Sequence, residues 1–112
     1  MVDIKHLEIP SDAKEDVALA RDTLLSKYGD NISKIILFGS YANGTYQPNS
    51  DIDLCIVLKE LPPKKQRAEY RFAVDIENRE TDLLYCTKDH LDSDTLIYKW
   101  INEEGVVLYE QL

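Results

Sequence analysis

The residues with the clearest chemical potential lie between Gly39 and Asp53. The Gly39-Ser40 pair ends one apolar run, and ten residues later Asp51 and Asp53 open a second. Side chains two positions apart on a strand point to the same side of the sheet, about 6.6 Å apart. Two such carboxylates can hold one cation, or share two cations about 3.5–4 Å apart. A Gly-Ser pair exposes backbone N–H groups to phosphate, so the stretch predicts a site for Mg²⁺ and a triphosphate.

Strands on both sides must bring these residues together. Apolar runs predict a first strand over Ile32–Phe38, a second over Asp51–Leu58 and a third over Thr81–Cys86. The Gly-Ser pair can meet the aspartates only if the first two strands are antiparallel. The second strand is apolar on both faces, which indicates a central position. A helical link between the second and third strands predicts that they are parallel, and this places Asp82 at the same end of the sheet.

The predicted helices cover the rest of the chain. Residues 1–10 are expected to form a loose arm, and Asp12 with Glu15 predicts a capping box at the start of a helix that ends near Gly29. Its buried stripe is Val17, Ala20, Leu24 and Tyr28. After Pro62 and Pro63, a helix is predicted over residues 64–78. Its stripe is Ala68, Phe72 and Ile76.

The last predicted helix is followed by a short strand. The helix carries an apolar stripe and ends at Gly105, and Val106–Tyr109 is predicted to pack or to add an edge strand. The stripe consists of Leu96, Ile97, Trp100 and Ile101. These elements predict an α/β (α+β) fold, a small mixed β-sheet flanked by helices, in a single domain over residues 1–112.

The motif resembles a known signature. Gly39-Ser40, ten residues and Asp51-x-Asp53 are similar to the pattern of the nucleotidyltransferase superfamily that includes DNA polymerase β. The runs 39–44 (GSYANG) and 50–54 (SDIDL) most closely resemble the minimal nucleotidyltransferases, which are often the antitoxin (MntA) of HEPN–MNT toxin–antitoxin pairs. Residues 101–109 also resemble the end of that domain. The resemblance covers nearly the whole chain and implies a polymerase β-like core.

The resemblance implies roles for five residues. Asp51, Asp53 and Asp82 would be the catalytic residues and would bind two Mg²⁺ ions. The nucleotide would be bound by Gly39, Ser40, Asp51 and Asp53. The implied reaction moves AMP from ATP to a hydroxyl, and the implied acceptor is a tyrosine of a HEPN toxin. Asp82 would be a ligand to the catalytic metal, with general-base character.

Other residues near the motif leave alternatives open. Glu80 and Asp75 compete with Asp82 for the role of third carboxylate. Asn43 stands where the family usually has Arg, which removes a bidentate donor and leaves substrate affinity or partner recognition open. Tyr41 and Tyr46 fit either stacking on a nucleobase or packing within the loop.

Two other functions remain consistent with the sequence. The protein could be a non-catalytic antitoxin that neutralises its partner by complex formation, an interpretation favoured only by Asn43. It could also be a small-molecule nucleotidyltransferase, although such enzymes usually have an additional domain. The runs 64–65 (KK) and 67–71 (RAEYR) make a basic patch that is expected to be a solvated face, with phosphate or partner contact as the alternative.

Composition narrows the choice of partners. The net charge of −8 disfavours direct nucleic-acid binding, which needs a basic face, and suits a basic protein partner. No run of 18 apolar residues is present and the first ten residues do not resemble a signal peptide, so a cytoplasmic location is expected. Cys55 and Cys86 are expected to be reduced and buried.

Overall fold

A four-stranded mixed sheet forms the centre of the computed structural model, which describes residues 1–112. The strands are β1 (Ile32–Phe38), β2 (Ile52–Leu58), β3 (Thr81–Thr87) and β4 (Val106–Glu110), in the order β3-β2-β1-β4. β1 is antiparallel to both β2 and β4, and β2 is parallel to β3. The predicted strand directions, the central position of β2 and the edge strand near residue 106 are all confirmed.

Five α-helices surround the sheet. They are α1 (Ser11–Tyr28), α2 (Ser40–Asn43), α3 (Arg67–Arg71), α4 (Lys88–Leu91) and α5 (Leu96–Glu104). Short 3₁₀ turns cover Ile4–His6, Gly29–Asn31 and Lys64–Gln66. None of these helices is long and apolar enough to cross a lipid bilayer.

The sheet is buried on both faces because successive apolar side chains of β1 and β2 point alternately to one face and to the other. On one face, Ile35, Leu37, Leu54 and Ile56 join the buried stripe of α1 in the larger core. On the other face, β1 and β2 pack with Leu91 and with Ile101 of α5. Full burial of each such aliphatic side chain stabilises the fold by roughly 1.5–3 kcal/mol, so the sheet provides a rigid support for residues at its ends.

The cysteines lie in the smaller core. Cys55 and Cys86 are fully buried free thiols on neighbouring strands, with 3.6 Å between their Sγ atoms. Their predicted burial is confirmed. Trp100, a member of the predicted stripe of the last helix, is only half-buried and meets the Phe38 ring edge-on at 5.8 Å.

Several predictions about helices are wrong. Pro10 occupies the N-cap position of α1 and no side chain caps the helix, so Asp12 and Glu15 form no capping box. The predicted helix over 64–78 ends at Arg71, because Phe72 leaves helical geometry. The side chains of Leu96 and Phe72 are 83% and 74% exposed, so neither belongs to a buried stripe.

The chain between Phe72 and β3 forms neither a helix nor a strand. Val74 and Ile76 are buried, whereas Asp75 between them is exposed. Ala73 is buried as well, so the buried positions of this segment do not follow the predicted helical spacing. Asn78 has a φ of 67°, the left-handed conformation of a turn just before β3. Asp75 therefore lies in a loop and not on a helix.

Candidate active site

The sheet brings the predicted acids to one end and one face. β2 and β3 are in register, with Asp53 beside Asp82. The N–H of Ile52 donates to the carbonyl of Glu80 at 3.0 Å, which fastens the two chain segments just before the strands. Asp53 and Asp82 alternate with apolar residues of the larger core and therefore lie on the opposite face, which carries the cysteines.

Gly39 brings the phosphate-binding candidate next to this pair. It follows Phe38, whose register partner on β2 is Asp53. Its φ of 76° and ψ of −154° form a conformation that is nearly restricted to glycine. A Cβ atom added to Gly39 would lie 2.1 Å from Oδ2 of Asp53. Conformation and contact both demand glycine here, and the Asp53 carboxylate rests directly against the backbone.

The turn after Gly39 holds its shape through local hydrogen bonds. The carbonyl of Gly39 accepts from the N–H groups of Ala42 and Asn43, each at 3.1 Å, which starts α2 at Ser40. Asn43 Oδ1 accepts from the N–H of Thr45 at 3.0 Å and from its hydroxyl at 2.6 Å. Asn43, the residue that departs from the family pattern, is therefore hydrogen-bonded within its own turn.

The carboxylates influence one another. Desolvation, followed by repulsion from Asp82 and from Asp51, raises the pKa of Asp53 to about 6. None of the three carboxylates forms a salt bridge. Asp51 and Asp82 are exposed, while Asp53 is half-buried. The site is an uncompensated cluster of negative charge.

A cleft of about 530 Å³ opens beside these acids. Asp51 and Asp82 line it together with Glu80 and Asp75, the two rivals of Asp82. Asp82 is the register partner of Asp53 and, with Asp51, raises its pKa by charge, so Asp82 is the third carboxylate that acts on Asp53. The structure brings all five predicted site residues to one end of the sheet. Their chemical roles stay a prediction.

Tyr41 and Tyr46 stack on each other at 5.2 Å with 20° between their planes. Tyr41 is 4% exposed, so its ring is a packing residue of the loop. Tyr46 covers it and is half-buried. Of the two predicted roles, packing within the loop is therefore the one that fits Tyr41, and stacking on a nucleobase is not.

Arg79 is the residue that the sequence did not reveal. Its side chain is 4% exposed and forms ion pairs with Asp12, at 3.2 Å, and with Asp16, both on α1. Its guanidinium lies 5.6 Å from the centre of the Tyr41 ring, and its hydrogen bond lowers the pKa of Asp12. Arg79 thus joins α1, the turn after Gly39 and the start of β3. Its partners lie more than sixty residues away, and no local pattern marks it.

Comparison with known sequences agrees with this geometry. The family described as nucleotidyltransferase domain matches residues 17–107. Putative protein adenylyltransferase MJ0604 of Methanocaldococcus jannaschii is 61% identical over 106 residues, covering 79% of this chain and 89% of that protein. Putative protein adenylyltransferase MJ0141 of the same organism is 39% identical over 61 residues, covering 54% of each chain. The match spans only 26% of a third such relative.

Solved structures share the fold. A putative nucleotidyltransferase from Sulfolobus solfataricus superposes with a TM-score of 0.59 at 19% identity, covering 94% of this chain and 93% of that chain. A mutant of the toxin–antitoxin MntA-HpeT gives 0.56 at 19% identity, covering 86% and 73%. A toxin–antitoxin structure with AMP-PNP gives 0.52 at 22% identity, covering 83% and 75%.

Proposed function

Because the chain belongs to the nucleotidyltransferase domain family, we propose that it is a Mg²⁺-dependent protein adenylyltransferase that moves AMP from ATP to a hydroxyl. The observation that carries the proposal is the meeting of the Gly39-Ser40 turn with Asp51, Asp53 and Asp82 at one end of the sheet. Relatives named as protein adenylyltransferases support this choice of reaction. A fold neighbour solved with AMP-PNP supports ATP as the donor.

The donor set fits Mg²⁺. Carboxylate oxygens are the ligands that this ion takes from proteins, and it keeps several waters of its own. No three acidic, histidine or cysteine side chains stand close enough together to hold a metal ion by themselves, so waters and phosphate oxygens would have to complete the coordination. Asp51, Asp53 and Asp82 would hold the metal. When bound, Mg²⁺ neutralises charge on the triphosphate and lowers the pKa of the acceptor hydroxyl.

The protein residues position the reactants. The turn at Gly39 and Ser40 would bind the β- or γ-phosphate through backbone N–H groups and the Ser40 hydroxyl. The acceptor oxygen attacks the α-phosphorus in line, forming a new P–O bond while the bond to the bridging oxygen of the β-phosphate breaks and pyrophosphate leaves. The Asp82 carboxylate accepts the proton of the hydroxyl. Positioning and charge stabilisation supply most of the acceleration.

The proposed acceptor is a tyrosine of a HEPN-type toxin, whose modification would silence it. Support comes from the resemblance of residues 39–54 to MntA-type antitoxins and from the fold shared with the toxin–antitoxin MntA-HpeT. On this proposal the protein acts as an antitoxin in the cytoplasm, and its partner is the protein encoded beside it.

The test is the intact mass of that neighbouring protein after incubation with this chain, ATP and Mg²⁺. We expect a gain of whole AMP units, and tandem mass spectrometry should place them on tyrosine. The Asp51→Ala/Asp53→Ala variant is the control and should add nothing. Normal transfer by a folded double variant would refute the assignment of these aspartates.

A binding antitoxin is the second candidate. Asn43 replaces the usual Arg and is engaged with Thr45, so no guanidinium from this position is available for substrate. A purely binding antitoxin predicts that Asp51→Ala/Asp53→Ala still forms the complex and still silences the toxin. If instead the double variant binds the toxin but leaves it active, catalysis is the mode of neutralisation.

A further inference from the structure

Four exposed cations lie within residues 64–71 of a strongly acidic protein, and one of them, Arg71, lines the cleft. Lys64, Lys65, Arg67 and Arg71 are all exposed and none forms a salt bridge, although the chain carries 21 acidic residues. We call these four residues the cationic surface. Cations that remain without a carboxylate partner in such a chain are available to an external anion.

The backbone beneath the cationic surface is held rigidly. The Tyr70 ring stacks on Tyr28 of α1 with 3.9 Å between centroids and meets Tyr85 of β3 edge-on at 5.4 Å. The Tyr85 hydroxyl donates to the carbonyl of Tyr70 at 2.6 Å, and Lys27 donates to the carbonyl of Ala73 at 2.7 Å. α3 therefore keeps its place on the body of the fold, with its cations directed outward.

The cationic surface reaches the proposed active site through Arg71. Arg71 and Phe72 line the cleft of about 530 Å³ that also contains Asp51 and Asp82. Arg71 and Arg67 also line a neighbouring hollow of about 380 Å³, which includes Leu61. We call the cleft and the neighbouring hollow together the path. It passes from the carboxylates to the exposed Phe72 ring, then to Arg71 and Arg67, and ends in the hollow.

The strand order separates this path from the nucleotide. The proposed phosphate-binding turn follows β1, whereas the cleft runs along the start of β3, and β2 with Asp53 lies between them. ATP on the β1 side leaves the β3 side for the acceptor. This arrangement suits in-line displacement, in which the nucleophile and the leaving pyrophosphate lie on opposite sides of the phosphorus.

We propose that the cationic surface docks an acidic segment of the protein acceptor and thereby delivers its hydroxyl to Asp82. The inference rests on the proposed function and adds a substrate class to it. An uncharged hydroxyl side chain faces the carboxylates, while neighbouring Asp or Glu residues pair with Arg67 and Arg71. A polynucleotide fits less well, because every one of its nucleotides carries a charged phosphate, and those next to the acceptor hydroxyl would lie against Asp75 and Glu80. In a peptide, only the residues that reach Arg67 and Arg71 need to be acidic.

Two labelled peptides of equal length test the proposal by fluorescence anisotropy. Each has one central tyrosine, flanked in one peptide by Asp and Glu and in the other by Lys and Arg. We expect the acidic peptide to bind more tightly, and Arg67→Glu/Arg71→Glu to weaken its binding at least about tenfold. Lys88→Glu/Lys99→Glu makes the same charge change away from the cleft and should alter the Kd less than about twofold.

Three results would overturn the docking inference. They are equal binding of both peptides, tighter binding of a single-stranded RNA oligomer through the same residues, and a loss of ATP affinity in Arg67→Glu/Arg71→Glu that equals its loss of peptide affinity.

Mass spectrometry of the peptides with ATP and Mg²⁺ separates this inference from the proposed function. Equal AMP addition to both peptides keeps the transfer and removes the docking. Binding through Arg67 and Arg71, with no AMP added to either peptide or to the neighbouring protein, keeps the docking and removes the transfer.

Discussion

Gly39 and Asp53 are in direct contact, because the Asp53 carboxylate occupies the space that a side chain at Gly39 would fill. The turn that is proposed to bind phosphate and the acid that is proposed to bind metal are therefore built as one unit. The contact also explains why glycine, and not merely a small residue, ends β1.

Gly39→Ala should disrupt both stability and transfer. The backbone at φ 76° disfavours alanine by about 1–3 kcal/mol, and the new methyl group would also collide with Oδ2 of Asp53. Gly44→Ala is the matched control, since Gly44 has a φ of 85° but a methyl group added there would have no neighbour within 4 Å. We expect denaturant unfolding to show a loss in both variants, with loss of AMP transfer much greater for Gly39→Ala. Equal effects would mean that the contact has no role beyond backbone strain.

Asp53→Asn should stabilise the metal-free protein at neutral pH while abolishing transfer. The pKa of Asp53 is raised from 3.8 to about 6, so between these values the folded state binds more protons than the unfolded state. Stability therefore falls as pH rises from about 4 to 6, by about 1 kcal/mol once solvent screening of this half-exposed group is included. Urea unfolding at several pH values, in EDTA, measures this.

The Asn variant should lose this pH dependence. Asp75→Asn, which changes an acid of the same cleft, should retain it. A fall in stability for Asp53→Asn at pH 7 without metal would contradict the charge-repulsion account.

Mg²⁺ with ATP should raise the Tm of the wild-type protein. A ligand that binds only the folded state stabilises by about 2.7 kcal/mol at one hundred times its Kd. Asp51→Asn/Asp53→Asn should show little shift because the proposed metal ligands are lost, and EDTA should remove the shift from the wild type. A variant that responds as strongly as the wild type would place the metal elsewhere.

Arg79→Ala should destabilise the fold by about 2–3 kcal/mol, because it removes a buried cation and leaves Asp12 and Asp16 without their partner. Arg71→Ala, at an exposed position with no salt bridge, should change unfolding by less than about 0.5 kcal/mol. A double-mutant cycle of Arg79→Ala with Asp16→Ala should show coupling of at least about 1 kcal/mol. Additive effects would show that the pair contributes only through packing.

The strand directions followed from the sequence because the chemistry imposed them. The Gly-Ser pair and the aspartates had to meet, and this requirement alone made β1 and β2 antiparallel. The sheet then placed Asp82 beside Asp53. The resemblance to nucleotidyltransferases added the reaction, which geometry alone does not specify.

The segment after α3 and the role of Arg79 did not follow from the sequence. Ala68, Phe72 and Ile76 have helical spacing, but tertiary packing draws Val74 and Ile76 to the core without a helix and leaves Phe72 exposed. The ion pairs of Arg79 with α1 arise only from the three-dimensional fold. Local periodicity contains no information about such distant contacts.

β4 covers the outer edge of β1 with only five residues, and the N–H of Val2 donates to the carbonyl of Val107 at 2.8 Å. Beneath it, Ile35, Ile36 and Leu37 form a strongly apolar stretch of high β-propensity. Without β4, this stretch would become an open edge able to pair with the same strand of another molecule. β4 therefore also protects the protein against aggregation, because partial unfolding that begins at β4 would expose the apolar edge formed by Ile35, Ile36 and Leu37.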